Sequence, residues 1–366
     1  MKFRAHFKMR GNIPSYSPKS GAISIILKWP LRLLVFAVML LGSGLTLAQQ
    51  GAVSQSLEWT KIVSAARQTG KVILYTNTAQ ALNDRIRADF VNAVPGIALE
   101  VVRLSSSDIR VKLDLERQTG SDGADAVITA ETIWLDERGK EGVLMAPSGP
   151  AARNWPKEYM LQRVAPILSL ETLIVAYNSK LVRKPITSYR DLLDPQWKGK
   201  IASPTFRGAA VIAWCDWLEQ TQGMDFMQKL ASQELVIRSS GTDAAQSVAA
   251  GETEMTIIGN PSVLQALIKR GAPIAMFTPN PAFATYFSGA ALGWSKRPNS
   301  ALVLIDYLMS VRGQTVWNGA GESASPLPGI AGSLNPQSMY VMEATKYTSQ
   351  ALQQAGDKWD RLFRQR

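Results

Sequence analysis

One cysteine and one histidine occur in the 366 residues, and those two scarcities exclude a large share of known chemistry. Cys215 has no partner within the chain, so no internal disulfide and no cysteine-rich metal site can form. The lone histidine, His6, lies in a basic leader. Once that leader is removed, Ser–His–Asp and Cys–His catalysis, histidine-ligated zinc or haem, and imidazole acid–base chemistry are all excluded. Phosphate-loop, dinucleotide-binding and nucleophile-elbow patterns are missing as well. The net charge of +11 at first points to nucleic acid, but its location argues otherwise. Lys2, Arg4, Lys8, Arg10, Lys19, Lys28 and Arg32 stand in residues 1–48, which contain no acidic residue. Setting them aside leaves a weakly basic chain with no nucleic-acid signal.

What is present begins with an apolar run, Leu31–Ala48, behind that basic stretch and ending in small residues. Thr46-x-Ala48 before Gln49 is a plausible cleavage site, so residues 1–48 read as a signal peptide and the mature protein as periplasmic. An uncleaved anchor is the alternative, because about 18 apolar residues just span a bilayer.

Short β-branched runs then alternate with helical patterns, which predicts an α/β protein with largely parallel sheets. Strands are expected at Val72–Thr76, Leu99–Leu104, Ala126–Thr129 and Lys200–Ser203, and again at Leu235–Arg238, Met255–Ile258, Pro273–Phe277 and Ala290–Trp294. Helices are expected at Ala79–Val94, Asp108–Gln118, Ser188–Leu193, Ala209–Gln220, Asp243–Ala250, Ser262–Arg270 and Ala301–Trp317. Ile167–Asn178 is long and apolar enough to leave one lobe and enter another. A last helix over Gln337–Phe363 presents Trp359, Leu362 and Phe363 on one face, after a structureless Gly319–Pro336. The expected division is lobe one from 49–170 plus about 283–330, lobe two from 171–282, and a C-terminal helical extension from 331–366.

In open α/β sheets, ligands sit beyond the strand C-termini, where helix N-termini offer free N–H groups and partial positive charge. Three polar junctions fit that position. Thr78 follows the first strand, Arg207 and Gly208 follow Ser203-Pro204-Thr205-Phe206, and Ser240 and Thr242 precede the Asp243 helix. Each serves either as a helix start or as a ligand contact. Glu131, just past Ala126–Thr129, would face the same crevice. The acids of Ser121-Asp122-Gly123-Ala124-Asp125-Ala126 lack the remaining calcium-loop positions and read as a turn.

The succession VILYT, GADAVITAET, ILSLETLIVAYNSK, DLLDPQWKGKIASP and SSGTDAAQSVAAGETEMTIIGNP resembles the bacterial periplasmic solute-binding proteins of ABC importers, in their ferric-ion and organic-anion cluster. The resemblance spans about residues 70–330 and implies a type II periplasmic binding protein: two lobes joined by extended hinge crossovers, closing on a small solute and delivering it to a membrane permease. It implies a monomer, no enzyme activity and no cofactor. Ferric-ion members carry a tyrosine pair where this chain reads Asn260-Pro261-Ser262, and a histidine where it reads Thr78-Ala79. Resident metal is therefore not expected, although Glu131 matches a family carboxylate. A small anionic solute is the leading expectation, contacted by Thr78, Glu131, Arg207, Gly208, Ser240, Thr242 and Tyr286. The alternatives are a ferric-iron or iron-chelate binding protein, a periplasmic sensor subunit and, with least support, a carboxylate-dependent enzyme.

Overall fold

The computed structural model describes residues 56–341 and 347–364; the signal-peptide reading of residues 1–48 lies outside them. Buried β-branched runs pair first. β1 (Lys71–Thr76) is flanked in parallel by β2 (Ala98–Arg103) and β3 (Ala126–Thr129). Between them lie helices α2 (Gln80–Ala93) and α3 (Ser106–Thr119), following α1 at residues 56–69. A helix the sequence did not announce, α4 (Thr132–Lys140), follows β3. After the short β4 (Leu144–Met145) and β5 (Met160–Leu161) comes β6 (Ala165–Asn178).

All fourteen residues of β6 are buried, and its polar members are therefore bonded internally. Ser169 donates to Asn318 Oδ1 at 2.7 Å, and Asn178 donates to the Val248 carbonyl at 2.9 Å. Beyond it, β7 (Ile201–Pro204) pairs in parallel with β8 (Val236–Arg238) and β9 (Met255–Gly259). Interleaved are α5 (Ala209–Gln222), α6 (Met224–Ala231), α7 (Gly241–Ala250) and α8 (Pro261–Lys269). β10 (Ile274–Phe277) returns antiparallel along β6.

β11 (Ala282–Leu292) completes the frame, antiparallel to both β6 and β3. The strand order is β2-β1-β3-β11-β6-β9-β7-β8. Two parallel trios thus flank one antiparallel pair of long strands, which is the expected arrangement of two lobes and extended crossovers. β11 starts eight residues before the predicted Ala290–Trp294. Its sequence is buried on both faces except at Tyr286, so no polar alternation marks it. Gly289 lets it approach β6, since a Cβ there would lie 2.6 Å from Leu168 Cδ1.

The predicted helix Ala301–Trp317 is two helices, α9 (Pro298–Met309) and α10 (Val311–Asn318). Ser310 between them is extended, and its side chain accepts from the Gly313 amide, a capping contact that outcompetes helix continuation. The predicted helix Gln337–Phe363 shortens to α11 (Ser349–Arg364), because Met339–Val341 instead forms β12 beside β11.

Each half has its own apolar core. Val72, Leu82, Ile86, Phe90, Leu304 and Trp317 pack in the first, and Trp197, Phe206, Trp214, Met227 and Trp359 in the second. Each such side chain contributes about 1.5–3 kcal/mol of burial.

Among the described residues, no helix is long and apolar enough to cross a membrane.

Candidate functional site

A cleft of about 440 Å³ lies where the two halves meet. Its walls follow from the βα rule. The residues capping α2, α3, α5, α7 and α8 (Ala79, Ser105, Gly208, Ser240 and Asn260) all line it. Five helix N-termini, two from one half and three from the other, therefore open onto one space. Ser105 and Ser240 cap their own helices by accepting from the amides of Asp108 and Asp243. Ala79, Gly208 and Asn260 supply no side-chain cap to α2, α5 and α8; α8 opens on Pro261, which has no amide to cap, and the Ala209 amide of α5 is met from the other half by Glu131.

Of the residues singled out in the sequence, Arg207, Gly208, Ser240 and Thr242 line this cleft. Thr78, Glu131 and Tyr286 lie one position away from lining residues. Thr78 is buried, with its hydroxyl donating to Asn83 Oδ1 at 2.5 Å, so it closes the β1–α2 junction internally. Tyr286 is turned by strand alternation to the opposite face of β11 from Thr285 and Phe287, where it packs near Ile167, Leu170 and Ala324.

Glu131 is 2 % exposed and is held by Arg110 at 3.5 Å. Burial pushes its carboxyl above the ordinary range, opposed by Arg110 and by a hydrogen bond from the Ala209 amide. That amide belongs to the first turn of α5, so a carboxylate from one half sits on a helix N-terminus of the other.

Arg207 lines the cleft, but its guanidinium is engaged elsewhere. It lies 3.3 Å from Asp357 and 3.0 Å from Asp360, both on α11. This pairing leaves no local signal, because the partners are 150 and 153 residues away. Arg103, at the end of β2, was missed. Its Nε donates to the Thr78 carbonyl at 2.9 Å, and its Nη2 donates to Thr242 Oγ1 at 2.8 Å, across the cleft. The available clue was an arginine at the C-terminal end of a strand predicted as Leu99–Leu104, the end that faces ligands in open sheets.

Two acidic features lie apart from the cleft lining. Asp122 and Asp125 of the predicted turn clasp Arg297 at 2.6 and 2.7 Å, which holds Asp122 below the usual carboxylate range. Glu171, in the middle of β6, is fully buried near Glu322, which in turn pairs with Arg85 at 3.0 Å. Burial and the Glu322 charge push Glu171 up to about 7. Among the described residues, no group of three or more His, Cys, Asp or Glu side chains is placed to hold a metal ion.

A family model described as bacterial extracellular solute-binding protein matches residues 85–339. Comparison with curated proteins finds no match. Among solved structures, the chain is similar to a substrate-binding protein of an ABC transporter from Agrobacterium tumefaciens. The identity is 16 %, 80 % of this chain and 94 % of that one are covered, and the TM-score is 0.72. Iron-bound HitA from Pseudomonas aeruginosa is similar at 18 % identity, with 81 % and 99 % covered and a TM-score of 0.64. The periplasmic binding protein AfuA from Actinobacillus pleuropneumoniae, with fructose-6-phosphate bound, follows at 19 %, 80 % and 96 %, and 0.61. These likenesses establish the two-lobed fold of periplasmic binding proteins.

Proposed function

The chain belongs to the bacterial extracellular solute-binding protein family, and on that premise we propose that it is the periplasmic component of an ABC importer that captures a small anionic solute and passes it to a membrane permease. One observation carries the anionic part: five helix N-termini from both halves open onto one cleft, and those of α2 and α8 have no side-chain cap. Such termini favour negative charge, and the cleft draws them from both lobes, so an anion stabilises the closed form over the open one. Gly208, Ser240 and Thr242 are the predicted contacts on the lobe-two side. In this reading residues 1–48 are cleaved on export, and the mature protein works as a monomer and turns over no substrate.

The iron-binding neighbour raises direct ferric-ion capture as a second reading. Hard ferric iron requires several anionic oxygen ligands. The residues lining the cleft include no tyrosine and no histidine, and both lining carboxylates, Asp108 and Asp243, are occupied by serine hydroxyls. An iron complex carried by an organic anion fits the cleft better than the bare ion.

The test is a thermal-shift screen with organic acids, phosphonates, phosphate esters, polyamines, thiamine and ferric citrate. A ligand at a hundredfold its Kd adds about 2.7 kcal/mol, several degrees of Tm. A rise confined to one anionic class is the expected result. A rise with polyamine or thiamine alone rejects the anionic solute, and silence across the panel removes experimental support for the transport role.

A further inference from the structure

We propose that Arg103 receives the solute's anionic group, and that Arg207 instead docks the C-terminal helix. This rests on the solute-binding reading above and names the residue that recognises the charge. Four charged residues line the cleft: Arg103, Asp108, Arg207 and Asp243. Three of them already have local partners. Arg207 is ion-paired with Asp357 and Asp360, Asp108 accepts from the Ser105 hydroxyl, and Asp243 accepts from the Ser239 hydroxyl. Among the described residues Arg103 hydrogen-bonds only neutral acceptors, a carbonyl and a threonine hydroxyl, and its positive charge has no acidic counterpart.

Its position strengthens the assignment. In the β1–β2 register Arg103 stands opposite Thr76, beside the junction that leads into α2. The Thr78 carbonyl holds Nε, and the other end of the guanidinium reaches Thr242 in the first turn of α7. Arg103 therefore spans the cleft between two helix N-termini, and a bound carboxylate or phosphate would meet it and those amides together. Exchanging a neutral hydroxyl for an anion replaces a hydrogen bond with one charged partner by an ion pair with two, which supplies the differential contact that closure requires.

A further observation marks the cleft as a place for a ligand. Thr285, which is 2 % exposed and lines the cleft, has a hydroxyl with no hydrogen-bond partner among the described residues, and so has Asn77 Oδ1. Enclosed polar atoms are seldom left unpaired in folded proteins. The preferred solute thus combines an anionic group for Arg103 with a hydroxyl or amine donor for the floor, as a hydroxycarboxylate or a phosphorylated alcohol does.

Calorimetric titration with citrate and with glycerol phosphate tests this on wild type, R103Q, R103K and R207Q. R103Q is expected to bind about ten- to a hundredfold more weakly, with R103K between it and wild type because the charge stays but the fork is lost. R207Q is expected to lower Tm while losing less affinity than R103Q. If R103Q binds either probe as tightly as wild type, or R207Q loses more affinity than R103Q, the Arg103 assignment is overturned while the solute-binding reading stands. Should wild type bind neither probe, the proposed anion class falls with it. Circular dichroism of R103Q guards against misfolding, and R103K carries the comparison if R103Q does not fold.

Discussion

Glu171 stands in an environment far from the one a carboxyl ordinarily requires. A carboxyl in the middle of a fully buried strand, with Glu322 nearby and Arg85 engaged by that same Glu322, holds its proton up to about pH 7. Between about pH 4.5 and 7 the folded chain therefore keeps a proton that the unfolded chain has released, so stability falls as pH rises through that window. The effect is at most about 3 kcal/mol. Expected is that the Glu171→Gln variant gains Tm relative to wild type between pH 5 and pH 8. A constant difference across that range would show that Glu171 titrates as an ordinary carboxyl. Asp89 and Asp122, lowered by Arg312 and Arg297, act with the opposite sign at more acid pH and do so in both proteins. Nothing local in ILSLETLIVAYN distinguishes this glutamate from a surface one, since its burial comes from β11 and from the loop carrying Glu322.

At the level of elements, α11 is the part whose role periodicity reveals only in half. Trp359 and Phe363 were legible as one apolar face and are buried. Not legible was what that face covers. Phe363 stacks on Phe206 with ring centroids 4.5 Å apart, and Trp359 Nε1 donates to Asp216 at 2.7 Å. Gly356 permits the close approach, because a Cβ there would stand 3.0 Å from Ile212 Cδ1 and 3.1 Å from the Phe206 carbonyl. At its other end Ser349 donates through both amide and hydroxyl to Glu137 of α4. Truncating the fully buried Trp359 to alanine is expected to cost about 3–5 kcal/mol, read from the urea midpoint with the slope unchanged. A loss under about 1 kcal/mol would show α11 to be only loosely attached. The same logic explains the uneven reading of strands. β1 is followed, and β3 preceded, by a helix that the sequence announces, whereas β11 is buried along nearly its whole length and shows no polar alternation.

For the whole molecule, the sheet order places β6 and β11 between the two parallel trios, so both halves share their central strands. Neither half can unravel without exposing β6, all of which is buried. Scanning calorimetry is therefore expected to give one transition, with van't Hoff and calorimetric enthalpies in agreement. Two resolved peaks would mean that the halves melt independently. The cleft was partly legible because capping chemistry is local: Gly208, Ser240 and Thr242 announce helix starts by their neighbours alone. The contacts that span it are not local, and Arg103 meets Thr242 across 139 residues of chain. Docking of α11 also leaves a trace for heredity. An early stop codon ahead of Ser349 would strip Phe206 and Ile212 of their cover, making the shortened chain adhesive as well as smaller. A descendant that has dispensed with this tail should therefore have repainted those two positions with polar residues.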